Sequence, residues 1–137
     1  MSDELPPVLR RLLDLWNGHE VDPADVYARG CTVDGGTSAF DQGDVLPEIE
    51  KYRSAFPDLR WSIERWVAVG DRYVLRMQAT GTHTGAPFPS ELGTASATGR
   101  PFALQGIEVH EIRDDRIIDV WQIWDLGPLY VARGARV

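Results

Sequence analysis

The last third of the chain limits its possible folds most tightly. Two runs rich in β-branched and aromatic residues, Phe102–Arg113 and Arg116–Asp125, flank Asp114-Asp115. Such runs around a two-residue turn are the signature of a β-hairpin. A tight turn pairs Arg113 with Arg116 and carries that register inward. One face then sets Ile112 opposite Ile117, His110 opposite Asp119, Glu108 opposite Trp121, Gly106 opposite Ile123 and Leu104 opposite Asp125. The other face sets Glu111 with Ile118, Val109 with Val120, Ile107 with Gln122, and Gln105 with Trp124. A slip of one residue exchanges the two faces, so the whole assignment rests on the turn.

The first face interleaves His110, Asp119, Glu108 and Asp125 with Trp121, Ile123 and Leu104. Ionisable groups among large apolar ones suit a pocket wall, where a carboxylate gains basicity and a histidine can share its proton. The same spacing also fits a solvated cross-strand charge ladder, and both readings stay open on spacing alone. The second face, with Val109, Val120, Ile107, Ile118 and Trp124, is too apolar to leave in water, so it either covers the core or meets another chain.

The hairpin belongs to a longer β-rich stretch, Leu59 to Asp125, in which Gly70-Asp71 separates Trp61–Val69 from Arg72–Thr82 as a second tight hairpin. Between them, Gly85 to Gly99 is a Pro/Gly/Ser/Thr-rich connection without periodicity, of a length found in lids and binding-site rims as well as in mobile hairpin tips. The first part of the chain is helical in pattern. Leu5, Leu9, Leu12, Leu13 and Trp16 recur at three- and four-residue steps and predict an amphipathic helix from Leu5 to Trp16, stopped by Asn17-Gly18. Asp22-Pro23 predicts a capped second helix reaching Ala28, and a third is expected from Leu46 to Ala55, ended by Phe56-Pro57. Helices first and strands after make the fold α+β, and 137 residues suit one domain, 1–137.

Composition excludes several partners. A net charge of -7 draws the chain toward neither nucleic acid nor an anionic membrane. Cys31 is the sole cysteine, so no intrachain disulfide or thiolate metal cluster is expected. His19, His83 and His110 lack metal-ligand spacing, and no phosphate loop, dinucleotide fingerprint or serine-nucleophile elbow occurs. No metal is therefore expected. The start, Met1-Ser2-Asp3-Glu4, is acidic where a secretory leader is basic, which points to a cytoplasmic protein.

Several segments, read in order, resemble the SnoaL-like polyketide cyclase family of the NTF2-like superfamily. They are Trp16-Asn17, Phe56-Pro57-Asp58-Leu59, Gly70 to Val74, Gly81-Thr82-His83-Thr84-Gly85, Thr98-Gly99-Arg100-Pro101, Gly106 to Ile112, Arg116 to Trp121 and Trp124-Asp125. The resemblance implies three N-terminal helices over a strongly curved mixed sheet, with a small-molecule pocket in the cone between them. It also implies a homodimer formed through the outer sheet surface. In the cyclases an aspartate near the end of the last strand removes a proton alpha to a carbonyl, without a cofactor, and a histidine on the preceding strand accompanies it. The matching positions are Asp125 and His110. Tyr52 and Asp34 are expected by analogy to line the same cavity. Trp121 is placed to stack on a flat polycyclic ligand, while Trp61 suits either core or pocket. His83 fits a strand-end anchor better than a catalytic group. The Gly85–Thr98 connection is longer than the family's, and the tail after Leu126 is short, both of which alter the pocket mouth.

The implied function is a cyclase or isomerase of secondary metabolism acting on an apolar or polycyclic carbonyl compound. An epoxide hydrolase on the same fold and a non-catalytic binder of hydrophobic metabolites are the alternatives, since one scaffold hosts many activities.

Overall fold

A computed structural model describes residues 4–34, 36–37, 45–90 and 93–131; the acidic start at Met1–Asp3 lies outside them. Helix α1 spans Pro7–Trp16 and buries Val8, Leu9, Leu12 and Leu15. It starts two residues later than the periodicity suggests. Pro6, held extended at φ -54° and ψ 143° by the proline that follows it, becomes the cap instead of the first turn. The helix stops at Gly18, whose φ of 88° only glycine adopts without strain.

The expected second helix is a single 3-10 turn, Pro23–Asp25, closed by Asp22 Oδ1 accepting the N–H of Ala24 at 2.9 Å. It ends because Val26 and Tyr27 turn into the sheet: the carbonyl of Val26 accepts the N–H of Ile117, and Tyr27–Val33 forms strand β1. Burial of two large side chains outweighs the local helix signal, so three N-terminal helices reduce to two. The second of these, α2 at Val45–Ala55, runs almost as expected, and a short α3 at Gly127–Val131 closes the described chain.

The strands are β1, β2 (Gly36–Thr37), β3 (Arg60–Val69), β4 (Arg72–Thr82), β5 (Phe88–Ser90), β6 (Gly93–Ala95), β7 (Pro101–Arg113) and β8 (Arg116–Asp125). Six of them form one mixed sheet in the order β2-β1-β8-β7-β4-β3, with β1 and β8 parallel. The apolar faces of α1 and α2 pack on Leu75, Met77, Ile117 and Val120 of that sheet. The described residues of the Gly85–Gly99 stretch hold regular structure that its composition does not announce. Strands β5 and β6 pair as a small hairpin, and Phe88 is buried against Phe56 at a centroid distance of 5.1 Å. Gly85 lets this segment dock, because a Cβ there would stand 1.9 Å from the carbonyl oxygen of Ser54. The amides of Gly85 and Ala86 instead donate to the carbonyls of Ala55 and Ser54.

The β7–β8 register differs from the expected one in a way that changes the site. Arg113 pairs with Arg116 and Ile112 with Ile117, but Glu111 then pairs with Asp119 and His110 with Val120. Ile118 is the extra residue of a β-bulge. The parallel neighbour slips at the same level, from Tyr27 opposite Ile117 to Thr32 opposite Asp119, and Thr32 Oγ1 donates to Asp119 Oδ1. Asp119 is thus bonded to β1 rather than set opposite His110. Beyond the bulge the faces of β8 exchange: Val120, Gln122 and Trp124 join the helix-covered face, while Trp121 and Ile123 turn outward, 50% and 59% exposed.

Asp58 ties the α2–β3 corner to the end of β4, accepting the backbone N–H of Thr82 at 2.7 Å and its hydroxyl at 2.8 Å. Partial desolvation raises its pKa, but those two hydrogen bonds and the Arg53 guanidinium outweigh it, so the net shift is downward. A depressed folded-state pKa stabilises the protein above the ordinary aspartate value of 3.8, and that contribution is lost as pH falls through the lower folded value. Asp58→Asn is therefore expected to lower Tm at pH 7, and the gap to wild type to close as the pH is taken below 3.8, read by thermal melts across pH.

Candidate active site

Between the helices and the sheet lies a cavity of about 450 Å³, a volume within the range of small-molecule sites. Leu12, Leu13 and Trp16 of α1 and Glu48 and Tyr52 of α2 form one side. The sheet supplies Trp61, Met77, Leu104, Glu108, His110 and Trp124 on the other.

Its polar end is built from one glycine upward. Gly106 and Trp124 are ladder partners, and a Cβ on Gly106 would lie 2.2 Å from the Trp124 ring. The missing side chain lets the indole lie across β7, where Trp124 Nε1 donates to Glu108 Oε2 at 2.9 Å. Two residues along the same face, His110 Nε2 stands 2.7 Å from Glu108 Oε1. Both carboxylate oxygens thus carry one partner each and keep a lone pair for a ligand. The His110 side chain is 2% exposed and Glu108's 12%, so Glu108 is the more accessible of the pair.

Tyr27 completes this end. Burial, the largest cause, raises its pKa strongly, and the charges of Glu108 and Cys31 add to the rise against the opposing effect of the Trp16 N–H, which donates to its oxygen at 2.9 Å. A phenol so held stays neutral across the physiological range and acts as a hydrogen-bonding hydroxyl, not a base. Asn17 fixes the aromatic wall: its side chain donates to the carbonyl of Trp61 at 3.0 Å and accepts the Trp61 N–H at 2.7 Å, pinning the end of α1 to β3.

Of the residues singled out in the sequence, Glu108, His110, Leu104, Tyr52, Asp34 and Trp61 line this cavity. Asp125, Asp119, Trp121 and Ile123 do not. The bulge turns Asp125 to the outer face, where it is exposed and its Oδ1 accepts the N–H of Gly127 at 2.9 Å. Trp124, Gln122 and Tyr27 went unrecognised, the first two because the one-residue shift hides them on the wrong face. His83 lies outside the cavity wall: its ring packs against Phe56 at 4.9 Å and Nε2 donates to the carbonyl of Ala86 at 2.8 Å, anchoring the end of β4. Among the described residues no three His, Cys, Asp or Glu side chains are grouped to hold a metal ion, and no helix is long and apolar enough to cross a membrane.

Helices laid over one face of a mixed sheet, with a cavity between the two layers, give the α+β fold of the NTF2-like class. Within it, this chain belongs to the SnoaL-like polyketide cyclase family, whose model matches residues 7–132. Solved structures agree on the fold. TsrD from Streptomyces laurentii is 23% identical over 97% of this chain and 100% of its own, with a TM-score of 0.77. IdmH from Streptomyces antibioticus is 22% identical over 93% and 96%, with a TM-score of 0.74. A Catenulispora acidiphila protein with a ketosteroid isomerase-like fold, solved in complex with trimethylamine, is 15% identical over 97% and 96%, with a TM-score of 0.72. No curated protein matches the sequence.

Gly106→Ala forces the Trp124 ring off its bond to Glu108. It is expected to cost about 1–3 kcal/mol of stability, as overpacking does, and to shift the tryptophan emission, both read in one denaturant titration.

Proposed function

We propose that the chain, acting as one domain in the cytoplasm, is a cofactor-independent cyclase or isomerase for an apolar, polyketide-type carbonyl compound. Glu108 is its general base. The observation that carries this reading is the Glu108–His110 pair on the wall of an aromatic cavity, the carboxylate held by two N–H donors and left with lone pairs for a ligand. A lone pair of Glu108 takes the proton alpha to the substrate carbonyl, and the electron pair of that C–H bond moves into the enolate. Ring closure on a second carbonyl gives an alkoxide, to which protonated Glu108 returns the proton; in an isomerase the proton returns to another carbon. His110 and Trp124 keep the carboxylate aimed through both steps. Asp125 has no part in this scheme, because it is bonded to Gly127 on the outer face.

Glu108→Gln keeps the shape and its acceptor oxygen but accepts no proton from carbon, so kcat is expected to fall about a hundred- to ten-thousand-fold with the fold intact by circular dichroism. Asp125→Asn is expected to keep most of its activity. If the two variants lose activity in the opposite order, the base is misassigned. Water addition to an epoxide, with no turnover of any carbonyl compound, makes the chain an epoxide hydrolase; ligand retention without reaction makes it a binding protein.

The exposed face of the sheet supports a second proposal, that two copies join there. Val67, Val69, Ile107, Trp121 and Ile123 stand between 45% and 66% exposed on neighbouring strands, a grouping larger than the scattered apolar side chains of a monomer's surface. Light scattering is expected to report a dimer, and Ile123→Glu a monomer of unchanged secondary structure. A wild-type monomer at micromolar concentration rejects the assignment.

A further inference from the structure

The cavity wall is one-sided in charge. Asp34, Glu48 and Glu108 line it, whereas no Lys or Arg does among the described residues. Lys51 answers Glu48 at 2.8 Å from outside the cavity wall. Asp34 has no such partner among the described residues: its Oδ1 accepts the backbone N–H of Gln122, and its side chain stands exposed where the cavity meets solvent.

Hydrogen-bonding capacity points the same way. Two of the three indole donors around the space are spent inside the protein, Trp16 on Tyr27 and Trp124 on Glu108. His110 turns Nε2 to Glu108 at 2.7 Å, and its buried Nδ1 has no partner among the described residues. Trp61 Nε1 is the third indole donor, buried and without a partner. The Glu108 lone pairs and the exposed Asp34 carboxylate call for N–H donors or positive charge, beside the polar groups that Gln122, Tyr27 and Tyr52 also bring to the wall.

The apolar wall suits the same group. Trp16, Tyr52 and Trp124 meet Trp61 at interplanar angles of 74°, 75° and 88°, with centroids 5.6, 5.6 and 5.1 Å away. Rings joined at near right angles bound a corner, and the faces of such rings carry negative charge density that attracts cations, tryptophan most strongly. An anionic ligand meets repulsion here from the carboxylates and finds no basic side chain on the described wall.

We propose that the ligand of this cavity carries a cationic nitrogen, an alkylated or protonated amine on an apolar body. The proposal rests on the cavity being the substrate site, and it adds a basic nitrogen to the carbonyl compound assigned there. The aromatic corner takes the ammonium head, Asp34 supplies long-range attraction at the mouth, and the apolar remainder lies against Leu12, Met77 and Leu104.

Choline and its neutral isostere 3,3-dimethylbutan-1-ol differ in one atom, N⁺ for C, and test the charge alone. Titration into the whole chain is followed by tryptophan emission and by NMR. Choline is expected to bind about ten-fold more tightly than the alcohol at low salt, and Trp61→Leu and Asp34→Asn are each expected to move that ratio toward one. Equal binding of the two probes, preference for the alcohol, or no detectable binding of either overturns the proposal. So does a choline preference unchanged in both variants, since the cation then sits elsewhere on an acidic surface. Asp34→Asn removes an exposed carboxylate and keeps the test open if Trp61→Leu fails to fold. The readout needs no turnover. Loss of activity in Glu108→Gln alongside equal probe binding leaves the acid–base reading standing and removes only the cationic ligand.

Discussion

Trp124 lies where a side chain on Gly106 would be, and the polar end of the cavity depends on that contact. The indole spans the strand and delivers its N–H to Glu108, which in turn holds His110. Four residues on two strands therefore form one chain of support, in which a backbone property, the absence of a Cβ, ends as the orientation of a carboxylate. Such support matters because a catalytic group is effective only when its rotamer is fixed before the substrate arrives.

A second chain of support crosses from helix to sheet. The Asn17 side-chain amide exchanges two hydrogen bonds with the backbone of Trp61, and Trp16 reaches Tyr27 on β1. Adjacent residues at the end of α1 thus grip two strands on opposite sides of the sheet order. The helix lid and the strand floor cannot drift apart without breaking buried hydrogen bonds, each of which leaves an unsatisfied polar group when lost.

Much of the architecture was legible in the sequence. The 3.6-residue pattern in α1, the proline stop after α2 and the Gly70-Asp71 turn all act locally, and local signals survive folding. Glu108, His110 and Leu104 were found together because they sit at even spacing along one strand, which fixes their common face whatever the register to its neighbour. What failed was set by partners far away in sequence. The bulge at Ile118 coincides with a slip in β1, some 90 residues earlier, and no pattern within β8 announces it. One inserted residue turned Trp121, Ile123 and Asp125 away from the cavity and brought in Gln122 and Trp124. The second helix failed for a similar reason: Asp22-Pro23 did start a turn, but Val26 and Tyr27 gain more from the sheet than from another helical turn.

The parallel pairing of β1 with β8 also sets the order of events when the chain is made. Tyr27 meets Ile117 and Thr32 meets Asp119, contacts that close most of the chain into a loop, and such closures are entropically costly and slow compared with local hairpins. The β3–β4 and β7–β8 hairpins can form as soon as their residues leave the ribosome, whereas β1 must wait, already synthesised, for a strand not yet translated. Trp124, Tyr27 and Glu108 come together only at that final docking. A nascent chain therefore has no complete cavity until its last strand is out, and truncation from the C-terminal end dismantles the cavity before it removes most of the sheet.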